Sequence, residues 1–268
     1  MPRLGVLGWP VAHSRSPAMH NAALRALGMD DWRYQLLPVP PERFSETAGA
    51  LGALGFAGAN VTIPHKHAAL ALADRASEAA RAIGAANTLT FADSGPIAAA
   101  NTDAPGFLDA LGVSPRGMTA LVLGAGGSAR AVVWALRQAG ARDVSVWNRT
   151  PERARALAQE FGARALARPE PAELLVNCTS VGLTAGDALD LLGLAFEQVG
   201  SYAHVVDLAY GHAETPLLAA AHAHGAHTVD GLEVLLAQGA RSFELWTGVS
   251  PPRDVMRRAL RGDSGQHA

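Results

Sequence analysis

The sequence predicts an α/β protein, and two patterns lead to this prediction. Strand-like runs alternate with helix-like runs, as in proteins whose parallel sheets are covered by helices on both faces. A glycine-rich turn at residues 124–129 also separates a buried strand from a helix. The composition agrees, since 49% of the 268 residues are hydrophobic and 17% are charged, as in ordinary globular proteins.

The first hundred residues contain five predicted strands and four predicted helices. The strands cover residues 4–8, 34–39, 59–63, 88–91 and 97–100, and the helices cover 17–27, 41–54, 66–73 and 77–83. The last two strands read as a hairpin around Asp93-Ser94-Gly95-Pro96, because glycine and proline favour turns. Ser16 is the predicted N-cap of the first helix, with Pro17 at the first helical position.

A second series begins after the turn Ser114-Pro115-Arg116-Gly117. Its strands cover residues 119–123, 144–147, 174–176 and 204–207, and its helices cover 128–139 and 151–161. Two more helices are predicted near 233–246 and 251–260. The expected division is a first domain at 1–103, on which 239–268 packs back, and a second domain at 104–238.

Charge and cysteine content exclude several classes of protein. A net charge of −2 leaves no basic surplus for nucleic acid or an anionic membrane. The one cysteine, Cys178, rules out an intramolecular disulfide and favours a reducing cytoplasm. Gly5, Gly8 and Pro10 interrupt the apolar run near the N-terminus, so we expect no signal peptide. No uninterrupted apolar stretch approaches about 18 residues, so we expect no membrane span.

The glycine-rich turn fits the dinucleotide-binding pattern G-x-G-x-x-G/A. It consists of Gly124, Ala125, Gly126, Gly127, Ser128 and Ala129. Gly124 permits the tight turn, Gly126 lets the backbone approach a pyrophosphate, and Ala129 lets helix and strand pack closely. Free N–H groups at the helix N-terminus would face the phosphates. The alternative is a glycine-rich turn that only packs.

The end of the next strand indicates which dinucleotide is bound. NAD enzymes usually carry an acidic residue there, whereas this chain has Asn148, Arg149, Thr150 and Arg153. Two guanidinium groups at a helix N-terminus make a strong phosphate site. The sequence therefore predicts NADP, the alternative being two solvated surface arginines.

Lys66 is the candidate proton carrier. It is the one lysine among 22 basic residues, the others being arginine. Arginine serves surface charge equally well but cannot release its proton, whereas lysine can. Chance survival of one lysine is the alternative. Before it, Ser14 and Ser16 lead into a helix and could hold a carboxylate, although Ser16 could equally act only as an N-cap.

These motifs resemble the shikimate dehydrogenase family over nearly the whole chain. The matching runs are Ser14-Arg15-Ser16-Pro17, residues 58–66, residues 84–88, Asn101-Thr102-Asp103, residues 124–129, Asn148-Arg149-Thr150, Asn177-Cys178-Thr179-Ser180, and residues 231–238 continuing through Phe243 to Gly248. One departure is Val234, where the family commonly has methionine. The resemblance implies a substrate domain and a Rossmann-type, doubly wound NADP-binding domain with a cleft between them.

The family also implies roles for individual residues. Ser14 and Ser16 would hold the substrate carboxylate, and Lys66 with Asp103 would handle the proton. The ring hydroxyls would be held by Asn60, Thr62, Asn87, Asp103 and Gln238. The cofactor would further contact Thr179, Ser180, Leu208 and Gly231, with Tyr210 lining the nicotinamide pocket and contacting substrate. The implied reaction is the reversible, NADPH-dependent reduction of 3-dehydroshikimate to shikimate in aromatic amino acid biosynthesis.

Other functions stay open at this point. A quinate or dual quinate/shikimate dehydrogenase is the nearest rival, and Ser16 argues mildly against it because threonine there is associated with quinate use. A non-catalytic NADP-binding regulator is the alternative of another class. We expect no metal site at His222, His224 and His227, and a packing role for Cys178. His65 and His67 are expected to be packed or solvated, the alternative being that one of them tunes Lys66. A homodimer is one candidate assembly.

Overall fold

The computed structural model describes residues 1–92, 95–182, 188–211 and 214–262. Contacts divide the chain into two compact units, one formed by Met1–Gly106 with Leu235–Ala268 and the other by Phe107–Val234. The division falls within two helices, and each unit has its own sheet. Within the described ranges, no helix is long and apolar enough to cross a membrane.

The strands and helices have the following bounds. The strands are β1 (Arg3–Gly8), β2 (Arg33–Pro38), β3 (Phe56–Val61), β4 (Arg75–Ala76), β5 (Thr88–Phe91), β6 (Ile97–Ala100), β7 (Thr119–Leu123), β8 (Asp143–Trp147), β9 (Arg164–Ala165), β10 (Leu174–Asn177), β11 (His204–Asp207) and β12 (His227–Val229). The helices are α1 (Ser16–Ala26), α2 (Phe44–Ala50), α3 (Lys66–Leu72), α4 (Glu78–Ile83), α5 (Asp103–Leu111), α6 (Gly127–Gln138), α7 (Pro151–Phe161), α8 (Ala188–Leu191), α9 (Phe196–Val199), α10 (Pro216–Ala223), α11 (Gly231–Thr247) and α12 (Arg253–Arg261).

The first unit contains a mixed sheet in the order β2-β1-β3-β5-β6-β4. β1 pairs in parallel with β2 and β3, and the β5–β6 hairpin pairs antiparallel with β3. This confirms the predicted hairpin, although Asp93 and Ser94 of its turn lie outside the described residues. One apolar cluster includes Phe44, Leu51 and Leu89, and another joins α1, α11 and α12.

The second unit contains a parallel sheet in the order β12-β11-β10-β7-β8-β9. From β7 the chain proceeds outward through β8 and β9, then returns to the other side of β7 with β10. This is the doubly wound order, which places a topological switch point between β7 and β10. It confirms the predicted α/β class and fixes where a ligand of this sheet would bind.

One predicted strand and two predicted helices have wrong boundaries. The strand predicted at 59–63 is β3, Phe56–Val61. Ser16 is the first helical residue and Arg15 occupies the N-cap position, without a side-chain capping bond; Pro17 lies one position later in the first turn, where its missing N–H costs nothing. The helix predicted at 41–54 contains a 3-10 turn, Pro41–Arg43, and then α2, which ends at Ala50. Gly52 and Gly55 follow, and Gly55 has a φ of +80°, which ends regular helix.

The sequence patterns also missed α5, the short helices α8 and α9, and the short strands β4, β9 and β12. Pro105 and Gly106 interrupt the helical pattern of α5, but proline is tolerated in a first turn. The Asn101 Oδ1 accepts a hydrogen bond from the Ala104 N–H at 3.1 Å and so caps this helix. Asp103 is thereby placed at the first position of α5.

We predict that Gly58→Ala destabilises the fold, because a Cβ at this position of β3 would overlap the indole of Trp246. That indole is buried and donates from Nε1 to the Leu89 carbonyl at 2.9 Å, so it cannot move freely. Overpacking of this kind costs about 1–3 kcal/mol. Urea denaturation measures the change in the free energy of unfolding.

Gly49→Ala is the matched control. Gly49 lies in α2, and a Cβ there would meet no heavy atom within 4 Å. The control should stabilise the protein by about 0.5–1 kcal/mol, because alanine loses less backbone entropy than glycine in a helix. Equal stabilities for the two variants would contradict the packing of Gly58 against Trp246.

Candidate functional site

A largely buried ion pair between Lys66 and Asp103 lies at the centre of the candidate site. Lys66 begins α3 and Asp103 begins α5. The Lys66 Nζ and the Asp103 Oδ2 are 2.7 Å apart, and the two side chains are 10% and 18% exposed. This separation gives a strong charge-assisted hydrogen bond. The structure thus joins the two residues to which the family resemblance assigns the proton transfer.

Asn87 holds the second oxygen of the Asp103 carboxylate. Its Nδ2 donates to the Asp103 Oδ1 at 2.8 Å and lies 3.2 Å from the Gln238 Oε1. Its Oδ1 accepts from the Thr102 backbone N–H at 2.7 Å. Asn87 is 2% exposed, so its amide is a fixed element of the site. Lys66, Asp103, Asn87 and Gln238 therefore belong to one hydrogen-bonded network.

Asn60 extends this network through side chains to which the sequence assigned no role. Its Nδ2 donates to the Ser242 Oγ at 2.9 Å, and its Oδ1 accepts from the Tyr34 hydroxyl at 2.8 Å. The Ser242 Oγ also lies 2.9 Å from the Thr88 Oγ1 and 3.0 Å from the Thr102 Oγ1. Thr88 follows Asn87 and Thr102 precedes Asp103 in the sequence, and this adjacency could have identified both as site residues. Ser242 is one helical turn after Gln238 and carries no local signal.

Ser14, Ser16 and Thr62 lie at the same edge of the first sheet. Ser14 and Ser16 follow β1, Thr62 follows β3, and β1 and β3 are adjacent parallel strands. Among the described residues, no hydrogen bond joins these three side chains to the Lys66 network. The Ser14 Oγ accepts from the Ser16 N–H at 3.4 Å. Arg15, which lies between these two serines in the sequence, donates from its guanidinium to the Leu260 carbonyl at 2.7 Å. This bond connects the start of α1 to the end of α12.

His20 is buried behind Tyr34. The two rings stack with centroids 4.2 Å apart and planes 4° apart. Neither ring nitrogen of His20 has a hydrogen-bond partner within the part of the chain that the structure describes. Burial lowers the pKa of His20 from 6.5 to about 3, because an imidazolium there would lose its hydration without compensation. His20 is therefore a neutral, packed ring at neutral pH.

His65 and His67 flank Lys66 with different surroundings. His65 is buried, stacks on Phe44 with centroids 4.5 Å apart, and has its Nε2 2.7 Å from the Val39 carbonyl oxygen. Burial lowers the pKa of His65, and the bond to Val39 opposes that change. The exposed His67 has its Nδ1 2.8 Å from the Gly84 carbonyl oxygen. Both are local packing or surface groups, as the sequence predicted.

In the second unit, the glycine-rich turn follows β7 at the switch point. Gly124 has a φ of +109°, and Gly126 is the N-cap of α6. A Cβ at Gly124 would lie 3.2 Å from the Cys178 backbone carbon and from the Thr179 Cγ2, so glycine keeps the loops after β7 and β10 in contact. A Cβ at Gly126 would meet no heavy atom within 4 Å. The backbone at Gly126 is therefore uncovered, and Ala129 is buried against the sheet.

Asp207 connects the loops that follow β10 and β11. Its Oδ1 accepts from the Asn177 Nδ2 at 2.8 Å and from the Ala209 N–H at 3.0 Å, and its Oδ2 accepts from the Thr215 hydroxyl at 2.6 Å. Burial raises the pKa of Asp207 to about 6, and these hydrogen bonds oppose the rise. Asn177 in turn accepts from the Thr179 N–H at 3.0 Å. Asp207, which the sequence did not assign, thus shapes both loops.

The remaining assigned residues of these loops lie beside this junction. Leu208 donates its N–H to the Asn177 carbonyl at 2.9 Å. Gly231 begins α11, and a Cβ there would lie 2.6 Å from the Leu208 carbonyl oxygen, which explains why glycine occupies this position. Ser180 is exposed, and Tyr210 is half-buried after β11. All are at the carboxyl ends of strands, where doubly wound sheets bind ligands.

Two exposed arginines lie between the end of β8 and the first turn of α7. Thr150 is the N-cap of α7 and Pro151 its first residue. Arg149 and Arg153 are exposed, and neither forms an ion pair with a described carboxylate. Glu152 between them pairs with Arg155 at 3.1 Å, and the Asn148 Nδ2 donates to the Thr150 carbonyl at 3.0 Å. Two cationic groups are therefore available beside a helix N-terminus.

The three histidines near the end of α10 contact different partners. His222 pairs with Glu214 and with the Thr228 hydroxyl. The His224 Nε2 lies 3.0 Å from the Phe196 carbonyl oxygen, and the His227 ring is 5.5 Å from that of His204. Within the described ranges, no three His, Cys, Asp or Glu side chains form a metal-binding group.

Comparison with known proteins identifies the family. Residues 6–89 match the shikimate dehydrogenase substrate binding domain, residues 111–181 match shikimate / quinate 5-dehydrogenase, and residues 231–261 match the shikimate 5'-dehydrogenase C-terminal domain. The shikimate dehydrogenase (NADP(+)) of Acidiphilium cryptum is 48% identical over 270 residues, which cover 97% of this chain and 95% of that protein. The chain belongs to the shikimate dehydrogenase family.

Two further members of the shikimate dehydrogenase family are similar over nearly their full length. The shikimate dehydrogenase (NADP(+)) of Citrifermentans bemidjiense is 45% identical over 96% of this chain and 93% of its own length. The crystal structure of shikimate 5-dehydrogenase from Thermus thermophilus, in complex with NADP(H) and shikimate, is 45% identical and superposes with a TM-score of 0.87. The match covers 98% of this chain and 99% of that chain.

We predict that His20 makes the fold sensitive to acid. The pKa of His20 is about 3 in the folded protein, against 6.5 for a histidine in water. Since the folded pKa is the lower one, the stabilising contribution of the neutral ring is present above about pH 6.5 and is lost as the pH falls toward 3. The loss is about 1.4 kcal/mol per pH unit in that interval.

The variant His20→Phe keeps an aromatic ring but cannot take up a proton. Urea denaturation at several pH values measures the difference in the free energy of unfolding between wild type and variant. When the pH is lowered from 7 to 5, the wild type should lose about 2 kcal/mol more of its free energy of unfolding than the variant does. A difference that is independent of pH would contradict the burial of His20 as a neutral ring.

Proposed function

We propose that this chain catalyses the reversible, NADP-dependent interconversion of 3-dehydroshikimate and shikimate. The observation that carries the proposal is the buried Lys66–Asp103 pair, held by Asn87 within a first unit that matches the family's substrate domain. Relatives with this activity in their names share 43% to 48% of their residues with the chain. The second unit, with its doubly wound sheet, is proposed as the NADP-binding half.

The first unit supplies the substrate contacts in this proposal. Ser14 and Ser16 hold the substrate carboxylate near the start of α1, where hydroxyl groups and helix N–H groups favour an anion. The ring hydroxyls contact Asn60, Thr62, Asn87, Asp103 and Gln238. Because most of these side chains are buried and already hydrogen-bonded, they are oriented before substrate arrives, which lowers the entropy cost of binding.

Lys66 moves the proton in the reaction. Carbonyl reduction leaves an oxygen that must gain a proton, and alcohol oxidation requires that this proton be removed. The Lys66 ammonium gives the proton from Nζ in the first direction, and the neutral amine accepts it in the second. Asp103, 2.7 Å from Nζ, keeps the amine in place in both. Arginine could hold the same charge but could not release the proton.

The second unit holds NADP, which supplies or accepts the hydride. The residues fit this cofactor: the backbone at Gly126 is uncovered, and Arg149 and Arg153 are exposed at the start of α7. Gly124, Ala125, Gly126, Gly127, Ser128 and Ala129 form the pyrophosphate turn. Asn148, Arg149, Thr150 and Arg153 hold the 2′-phosphate. Thr179, Ser180, Leu208, Tyr210 and Gly231 line the nicotinamide side.

Quinate is the second candidate substrate. The family model that matches residues 111–181 covers shikimate and quinate dehydrogenases alike, and Ser16 favours shikimate only mildly. The single thiol, Cys178, favours a reducing compartment, so a cytoplasmic location stays our prediction. A homodimer stays the candidate assembly, which sedimentation analysis would test.

Initial rates of the purified protein test the proposed function. Shikimate and quinate are each supplied with NADP and with NAD, and kcat/KM is measured for the four combinations. We expect the highest value for shikimate with NADP. Undetectable turnover of shikimate with either cofactor would overturn the proposal, and a higher kcat/KM for quinate would move the assignment to the second candidate.

We predict that the double variant Arg149→Ala/Arg153→Ala loses its preference for NADP. Each charge-assisted bond to the 2′-phosphate is worth roughly 1.5–3 kcal/mol, so the loss of both should raise KM for NADP well over tenfold. KM for NAD should change little, because NAD lacks that phosphate. Arg155→Ala is the matched control, since Arg155 lies on the same helix but pairs with Glu152. An unchanged KM for NADP in the double variant, or an equal rise in the control, would refute the phosphate role.

A further inference from the structure

Asn60 is a buried amide among the proposed substrate contacts. It is the fifth residue of β3 and 5% exposed. Four groups surround its amide: the Tyr34 hydroxyl, the Asn87 backbone carbonyl, and the hydroxyls of Thr88 and Ser242. Their chemistry determines which end of the amide can meet a substrate.

The Asn87 carbonyl fixes the orientation of the Asn60 amide. A backbone carbonyl can only accept a hydrogen bond, so the Asn60 atom that lies 3.2 Å from it must be Nδ2 and not Oδ1. The opposite orientation would place two acceptors against each other. The Oδ1 atom therefore faces Tyr34, whose hydroxyl must donate across the 2.8 Å separation.

The two N–H groups of the Asn60 amide are used within the protein. One is directed to the Asn87 carbonyl and the other to the Ser242 Oγ at 2.9 Å. Ser242 is fully buried and is itself bound to the Gln238 carbonyl at 3.1 Å, one helical turn earlier in α11. Ser242 thus fixes the amide from the helix side and connects it to the helix that carries Gln238.

Tyr34 is held as firmly as the amide it contacts. Asn21 binds the Tyr34 backbone at both ends, since its Oδ1 accepts from the N–H at 2.9 Å and its Nδ2 donates to the carbonyl at 2.8 Å. The Tyr34 ring is stacked on His20 and is 3% exposed. The hydroxyl consequently has little freedom to leave Asn60.

We propose that Tyr34 and Ser242 are positioning residues that lock Asn60 as a hydrogen-bond acceptor for one substrate hydroxyl. With its N–H groups engaged, the amide offers a substrate only the second lone pair of Oδ1. Such a group accepts from a hydroxyl and repels a carbonyl or ether oxygen at the same position, which adds to substrate selection. This inference rests on the proposed function and deepens its substrate contacts.

The variant Tyr34→Phe tests whether the Tyr34 hydroxyl positions the Asn60 amide. It removes the hydroxyl that donates to Asn60 and keeps the ring that stacks on His20. A neutral hydrogen bond contributes modestly, so KM for shikimate should rise about three- to tenfold. KM for NADP should change little. The melting temperature should fall modestly because the Asn60 Oδ1 loses its donor, whereas a purely structural role would lower it without selectively raising KM for shikimate.

Two matched variants isolate the effect. Tyr202→Phe removes another mostly buried tyrosine hydroxyl, which donates to the Glu170 carbonyl at 3.1 Å in the second unit, and it should leave KM for shikimate unchanged. In the background of Asn60→Ala, the further change Tyr34→Phe should have no effect on KM, because the group it positions is absent. Ser242→Ala should also raise KM for shikimate, because it removes the Oγ that accepts from the Asn60 Nδ2.

Shikimate analogues that each lack one ring hydroxyl identify the hydroxyl that binds Asn60. Tyr34→Phe should raise KM for the analogues that keep this hydroxyl and leave it unchanged for the one that lacks it. Two results would overturn the inference and leave the proposed function standing, provided that the wild type turns over shikimate. One is an unchanged KM for shikimate in Tyr34→Phe, and the other is an equal rise in KM for every analogue. A wild type that fails to turn over shikimate would instead refute the function, and the inference with it.

Discussion

Two opposite charges removed from water need partners at close range, and Lys66 and Asp103 meet this need with a separation of 2.7 Å. The pair alone would leave one oxygen of the carboxylate without a donor, and Asn87 supplies that donor. The Asn87 amide then requires partners of its own, which Thr102 and Gln238 provide. The polar interior of the first unit therefore depends on this ion pair, because each buried polar group needs a hydrogen-bond partner that in turn needs partners of its own.

The two proposed binding sites would hold polar molecules in different ways. The first unit would rely on buried side chains that are fixed by one another, which would make binding sensitive to small differences between ligands. The second unit would rely on backbone shape and surface charge: Gly124 at φ +109°, an uncovered backbone at Gly126, and the exposed Arg149 and Arg153 at the start of α7. A phosphate-rich cofactor needs mainly N–H groups and cations, whereas a small hydroxylated acid needs oriented donors and acceptors.

Local sequence patterns predicted those parts of the fold whose signals are local. β5, β6, β7, β11 and α7 have the bounds that alternation and turn residues indicated. The prediction was wrong for Ser16 as an N-cap and missed α5, where Pro105 falls in a first turn. In the site, the pairing of Lys66 with Asp103 agrees with the roles expected from the family resemblance. Tyr34, Ser242 and Asp207 were missed because their contacts arise only from tertiary packing.

The most direct test of the account is the catalytic rate of Lys66→Arg, measured at saturating shikimate and NADP. The substitution keeps a positive charge beside Asp103 and removes the ability to exchange a proton. Circular dichroism and NADP binding establish that the variant is folded and holds its cofactor. The account predicts that kcat falls by about 10²–10⁴-fold, the range for a lost general acid-base. A kcat within a few-fold of the wild-type value would contradict it and reduce Lys66 to a charge that positions Asp103.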